Sequence, residues 1–230
     1  MSRIARIVTI NVPYHITQRG NYNQRVFYSD GDRSSYLKLI KKYSKIYHLK
    51  ILAYCLMNNH VHFILIPKNI NSMAKTFHVV NMQYANYINK RKKLIGHLWQ
   101  SRFYSCILDE PHAYTAARYV EQNPVKARIV DEAWEWKWSS AAYHIGDKDI
   151  TGFLVRADFL PKPRQWKVEL KNAELKPIID KLEWCTKTGR PFAAFSMVKK
   201  LEKITGRRLR YRRVGRPRKL KKLGQLPNCL

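Results

Sequence analysis

Along Val8–Arg19 the chain alternates, with Tyr14 and Ile16 on one side and His15, Thr17 and Arg19 on the other, which predicts a strand. The rhythm then changes. From Asp32 to Tyr47 the apolar positions Tyr36, Leu39, Ile40, Tyr43 and Tyr47 recur at three- and four-residue steps, as on one face of a helix. Lys50–Met57 and His60–Ile66 are β-rich runs flanking Asn58–Asn59, which is good hairpin chemistry. A longer helix is predicted over Ser72–Lys92, capped by Asn71, with Met73, Phe77, Val80, Tyr84 and Ile88 along one face. Phe103–Leu108 reads as a further strand. Asp109 then caps a helix with Pro111 in its first turn, running to about Gln122, and Pro124 is expected to break or restart it.

The succession β-α-β-β-α-β, then helix, is that of a ferredoxin-like (RRM-like) α+β fold, an antiparallel sheet with helices on one face. On this reading the other face is free to receive a nucleic-acid strand. Farther on, residues 171–185 and 193–205 can form two short amphipathic helices, marked by Ile178, Ile179 and Leu182 and by Phe195, Val198, Leu201 and Ile204. We divide the chain at the Gly146–Gly152 stretch. On this division residues 1–150 make a domain of catalytic size and residues 151–230 a basic, mainly helical extension with a tail.

Charge narrows the function. The net charge is +28, and no acidic residue follows Glu202. Such an excess repels itself in a compact state and calls for a polyanionic partner, with nucleic acid first among candidates. The aromatic signature of RNA-binding ferredoxin-like domains is absent, which counts against an RNA reader. Cys55, Cys106, Cys185 and Cys229 are widely spaced, as expected in a reducing, cytoplasmic compartment. Neither a signal-peptide core nor a run long enough to span a membrane is seen, so no membrane association is expected.

Candidate chemistry starts at the hairpin. His60 and His62 lie two apart on a predicted strand and so project together, while Val61, Phe63 and Leu65 face the packed side. Two neighbouring neutral imidazoles can share one divalent metal. With Cys55 on the adjacent strand a structural zinc is conceivable, but four ligands are then usual, so a catalytic Mg²⁺ or Mn²⁺ ranks higher. Tyr119 and Asn123 share a helix face if the helix persists, and an amide oxygen is a reasonable third ligand. Spacing alone does not single out Tyr119 among 14 tyrosines.

Several blocks, in order, resemble the REP-associated tyrosine transposases, relatives of the single-tyrosine HUH transposases of simple insertion sequences. They are Pro13–Asn21, Met57-Asn58-Asn59-His60-Val61-His62, Tyr119–Ala127, Thr188–Phe192 and Gly215-Arg216-Pro217-Arg218-Lys219. The resemblance implies that His60 and His62, with Asn123 a possible third ligand, bind Mg²⁺ or Mn²⁺. It implies that Tyr119 attacks a DNA phosphate to form a 5′-phosphotyrosine, without a nucleotide cofactor. It further implies single-stranded or hairpin DNA from palindromic repeats as substrate, a bacterial, nucleoid-associated setting, and a monomer or homodimer. His15, Thr17, Arg19 and Asn21 could line the DNA path, or Arg19-Gly20-Asn21 could be only the turn ending the first strand. Arg216, Arg218 and Lys219 sit in an AT-hook-like segment expected to contact DNA. No general base for Tyr119 can be named at this level.

Overall fold

The first strand, β1 (Tyr14–Arg19), is shorter than the alternation suggests. Asn11 takes a left-handed φ of 60°, and Pro13 has no N–H to give to a ladder, so pairing begins at Tyr14. This is seen in a computed structural model, which describes residues 6–149, 151–172 and 175–210. Arg216, Arg218, Lys219 and Cys229 lie outside the described residues.

Helix α1 (Asp30–Ile46) starts two residues earlier than its apolar pattern because Ser29 and Asp32 form a reciprocal capping box. Strands β2 (Leu49–Leu56) and β3 (His60–Pro67) form the expected hairpin, closed by Met57 N–H donating to His60 O at 2.9 Å. Helix α2 (Ser72–Lys92) has Asn71 at its cap position, but the local side-chain bond is made by Ser72, whose hydroxyl accepts from Asn69 N–H at 2.9 Å. After β4 (Tyr104–Ile107), α3 (Glu110–Lys126) is capped by Asp109, which accepts from His112 N–H.

Helix α3 does not stop at Pro124. The proline leaves Val120 O without its usual N–H donor, and the Asn123 amide reaches back to that carbonyl at 3.4 Å and to Tyr119 O at 2.8 Å. The helix therefore runs on to Lys126.

The four strands form one antiparallel sheet in the order β2-β3-β1-β4, so the ferredoxin-like α+β fold is the observed one. Helices α1 and α2 cover one face, where Tyr14, Ile16, Val61, Phe63 and Leu65 meet Tyr36, Phe77, Val80 and Tyr84. A bulge at Leu52 shifts the β2 register, so that Ile51 and Tyr54 face this core while Leu52, Ala53 and Cys55 face the other.

The second face is not free. Helix α3 lies on it, through Ala113, Ala116, Ala117 and Val120, against Ala53, Cys55, Ile64 and Cys106. The sheet is apolar on both sides at its centre, and an uncovered second face would leave that surface in water. Beyond it come α4 (Ala141–His144), α5 (Pro163–Glu169), α6 (Lys176–Thr188) and α7 (Phe195–Thr205). The last two match the expected amphipathic pair, with Pro177 setting the later start of α6. Leu182 and Cys185 of α6 join the core under α3, and Val198 and Leu201 of α7 join the first core. The extension is thus packed into both cores across the residue-150 division.

Candidate active site

The covered face carries the polar chemistry. Antiparallel pairing sets Thr17 opposite His62 and Arg19 opposite His60, while His15 lies opposite Cys106 of β4. His15, Thr17, Arg19, His60 and His62 thus occupy one face of two central strands, as the alternation predicts. Helix α3 brings Tyr119 over them. Its ring stands edge-on to His62 at 5.6 Å between centroids and to His15 at 6.0 Å, and His60 meets His62 at 4.9 Å. A cavity of about 440 Å³ opens here, walled by His15, Thr17, Arg19, His62, Tyr119 and Glu183, among others.

The hydrogen bonds fix how the imidazoles present themselves. Thr186 of α6 donates its hydroxyl proton to Leu182 O at 2.8 Å, so its oxygen is left to accept from His15 Nδ1–H, also at 2.8 Å. A neutral His15 then has a lone pair on Nε2, which accepts from His62 Nδ1–H at 2.9 Å. This relay leaves His62 Nε2 with a lone pair, buried and without a partner among the described residues. His60 Nδ1 donates to Asn59 Oδ1 at 2.6 Å, which frees its Nε2 in the same way.

Burial keeps the rings neutral: it pushes His15 and His60 down to about 3, and His62 well below the ordinary imidazole range, with neighbouring His60 and His15 adding to the effect. Among the described residues, no group of three or more His, Cys, Asp or Glu side chains is arranged to hold a metal ion. The donor chemistry of the pair nonetheless fits a divalent cation: two neutral imidazoles, each held by a bond at Nδ1, each with Nε2 available.

Tyr119 is nearly buried, and its hydroxyl donates to Glu183 Oε1 of α6 at 2.8 Å. Burial first, then the charge of Glu183, holds the phenol well above its ordinary range, while Arg19 and Asn123 pull it down. Lys126 Nζ lies 4.8 Å from the centre of the Tyr119 ring. Arg19 and Lys187 in the wall set two cations beside the Glu183 carboxylate, and they suit a phosphate.

Of the DNA-path candidates, His15, Thr17 and Arg19 line this cavity. The Thr17 hydroxyl is buried there without a partner among the described residues. Asn21 lies in the 3-10 turn Asn21–Asn23 after β1, and Asn23 of that turn lines the cavity. Gly20 belongs to the turn, since a Cβ there would stand 2.3 Å from Gln24 O. Asn123 lies beside the Tyr119 hydroxyl, with its amide nitrogen bonded to helix carbonyls.

Sequence reasoning missed Glu183, Thr186 and Lys187. One signal was there: Thr186 continues the Ile178–Leu182 stripe by one turn. A larger groove, about 1080 Å³, runs between α2 and residues 96–103, bordered by Lys75, His78, Asn81, Asn86 and Arg102, and shares Gln100 with the first cavity.

Fold and site together define a ferredoxin-like protein whose sheet carries a buried histidine–tyrosine pocket with a basic rim. Residues 8–123 match the family model of IS200-like transposases, and the chain belongs to that family. Among solved structures it is similar to a REP-associated tyrosine transposase bound to a REP hairpin, with a TM-score of 0.55 and 18% identity over 68% of this chain and 99% of that one. At that identity the likeness shows the shared fold. A candidate transposase from Deinococcus radiodurans is matched at a TM-score of 0.35 and 17% identity, over 52% of this chain and 96% of that one, too low to carry an argument. No curated protein matches the chain. Among the described residues, no helix is long and apolar enough to cross a membrane.

Proposed function

We propose that this protein cleaves one strand of hairpin or palindromic-repeat DNA and transfers it through a 5′-phosphotyrosine on Tyr119. The observation that carries the reading is the Tyr119 ring held edge-on to His62, 5.6 Å away, where His62 Nε2 has no partner among the described residues. His60 and His62 would hold Mg²⁺ or Mn²⁺ through Nε2, with Asn123 as third ligand. Bound there, the ion supplies a Lewis acid for the scissile phosphate.

The remaining work falls to the chain. Arg19 and Lys187 receive the phosphate backbone, and His15, Thr17 and Asn21 line the strand path. Arg216, Arg218 and Lys219 hold flanking duplex. The Tyr119 Oη–P bond forms as the Oη–H and P–O3′ bonds break; the phenolic proton is taken up by a base or by water, and the departing 3′-oxygen takes a proton from water. The exchange conserves the phosphodiester-type linkage, so no nucleotide cofactor is needed, and attack by a 3′-hydroxyl on the phosphotyrosine completes transfer. The similar REP-associated protein is bound to a REP hairpin, which makes a hairpin the first substrate to try.

The test uses labelled single-stranded hairpins from the DNA flanking the gene, with Mg²⁺, Mn²⁺ or chelator, resolved on a denaturing gel. The wild type should yield a metal-dependent covalent adduct and Tyr119→Phe none. Tight binding without an adduct under every condition would show a hairpin-binding protein that does not cut.

A further inference from the structure

We propose that Glu183, from the C-terminal extension, is the catalytic base that takes the phenolic proton of Tyr119; this rests on the strand-cleavage reading above. The Tyr119 hydroxyl donates to Glu183 Oε1 at 2.8 Å, so the acceptor is already in place for proton transfer. Glu183 supplies the carboxylate in the cavity wall, whose charged companions are Arg19 and Lys187.

The other polar groups nearby are bonded, assigned to the metal (His62 Nε2) or, like the Thr17 hydroxyl, not bases at neutral pH. His15 uses Nδ1 on Thr186 and Nε2 on His62, and His62 uses Nδ1 on His15. Asn123 lies beside the hydroxyl, and its neutral amide cannot accept a proton at neutral pH. Glu183 also sits on a firm support. Its neighbours Leu182 and Cys185 are in the core, and Thr186 ties α6 to β1 through His15 and to β4 through Cys106, 3.2 Å away. A base on a packed helix holds its geometry better than one on a loop.

The step balances simply. As Tyr119 Oη bonds to phosphorus and P–O3′ breaks, the Oη–H bond breaks and its proton passes to Glu183 Oε1. Water supplies the proton that the 3′-oxygen takes up. In the return reaction the 3′-hydroxyl attacks the phosphotyrosine and loses its proton to water, and Glu183 gives its proton back to Tyr119. Glu183 lies beyond residues 8–123, so the part of the chain that matches the transposase family holds the nucleophile but not its base.

The test is single-turnover adduct formation at saturating hairpin DNA, with full-length wild type, Glu183→Gln and Tyr119→Phe side by side. Glu183→Gln keeps the shape and removes the basicity. It should form the adduct about 100-fold more slowly or worse, with hairpin affinity and near-UV circular dichroism unchanged. A rate close to wild type would overturn the assignment. So would a faster one, since Glu183 would then be restraining Tyr119 rather than activating it. Should Glu183→Gln not fold, Glu183→Asp decides: the charge stays, the reach shortens, and an unchanged rate again overturns the assignment. An adduct that Glu183→Gln forms at the wild-type rate but Tyr119→Phe does not form removes only the base. No adduct in wild type removes the cleavage reading itself.

Discussion

The two faces of the sheet are built from the same strands and do different work. The face under α1 and α2 is a dense aromatic core. Phe63 packs on Phe77 at 5.5 Å, Tyr36 on Tyr84 at 5.0 Å, and polar tips such as the Tyr84 hydroxyl find a partner, here Val26 O at 2.7 Å. The face under α3 is lined by small residues, Ala113, Ala116 and Ala117, and admits polar groups. Alanines let the helix approach closely, which carries Tyr119 down to the strand histidines. The first face stabilises the fold, and the second uses that rigidity to hold polar atoms where water would otherwise satisfy them.

Within the second face two polar clusters hang on the same helix and differ again. Glu121 is fully buried, with both carboxylate oxygens engaged: Oε1 accepts from Ser140 and from His144 Nδ1 at 2.6 Å, and Oε2 accepts from Trp166 Nε1 at 2.8 Å. It stitches the extension to α3. Two residues earlier, Tyr119 belongs to a cluster that leaves His62 Nε2 and Thr17 Oγ1 without partners among the described residues. His144 Nε2 in the first cluster also lacks a partner among the described residues, but there the carboxylate is committed to structure, whereas the second cluster lines a cavity with its unpartnered Thr17 and His62.

Phe63→Ala should sharpen this contrast most. It removes a fully buried ring from the aromatic core and should lower unfolding free energy by about 3–5 kcal/mol in urea melts. The adduct rate per folded molecule should hardly change. A loss under 1 kcal/mol would mean that the aromatic face does not carry the stability assigned to it.

Glu121→Ala comes next, at about 2–4 kcal/mol, because Ser140, His144 and Trp166 lose a shared acceptor inside the protein. Limited proteolysis should then release the extension ahead of the sheet, and cleavage should fall because Glu183 and Thr186 come loose with it. Unchanged proteolysis would make the network incidental.

The smallest effect is that of acid. Burial lowers His15 in the fold from 6.5 to about 3, so above pH 6.5 it is neutral folded or unfolded and contributes nothing. Below 6.5 the unfolded chain takes up a proton that the folded one refuses, and stability falls continuously until the pH nears 3. His15 alone should cost about 1 kcal/mol at pH 5.5 relative to pH 7.5. A urea midpoint that stays flat between those values would contradict a buried neutral relay.

Local chemistry makes much of this legible in the sequence. Two-residue alternation put Tyr14 and Ile16 on one side of β1 and His15 and Thr17 on the other, and it paired His60 with His62. The capping signals at Asp109 and the three- and four-residue rhythm of α1 and α2 read correctly because they depend on neighbours a turn away. Pro124 misled, since its effect on the helix depends on whether a side chain can supply the missing donor, and Asn123 does.

The sequence by itself thus determined the strands and helices, their inward faces, and the histidine pair, all set by short-range periodicity and sterics. What covers the second face was decided only by the tertiary structure. Burying the apolar centre of that face brings α3 onto its own sheet and α6 beside it. The bonds from Tyr119 to Glu183 and from His15 to Thr186 join residues 64 and 171 positions apart. No local pattern encodes such pairs, because the energy that makes them comes from packing distant segments together and not from the residues that finally touch.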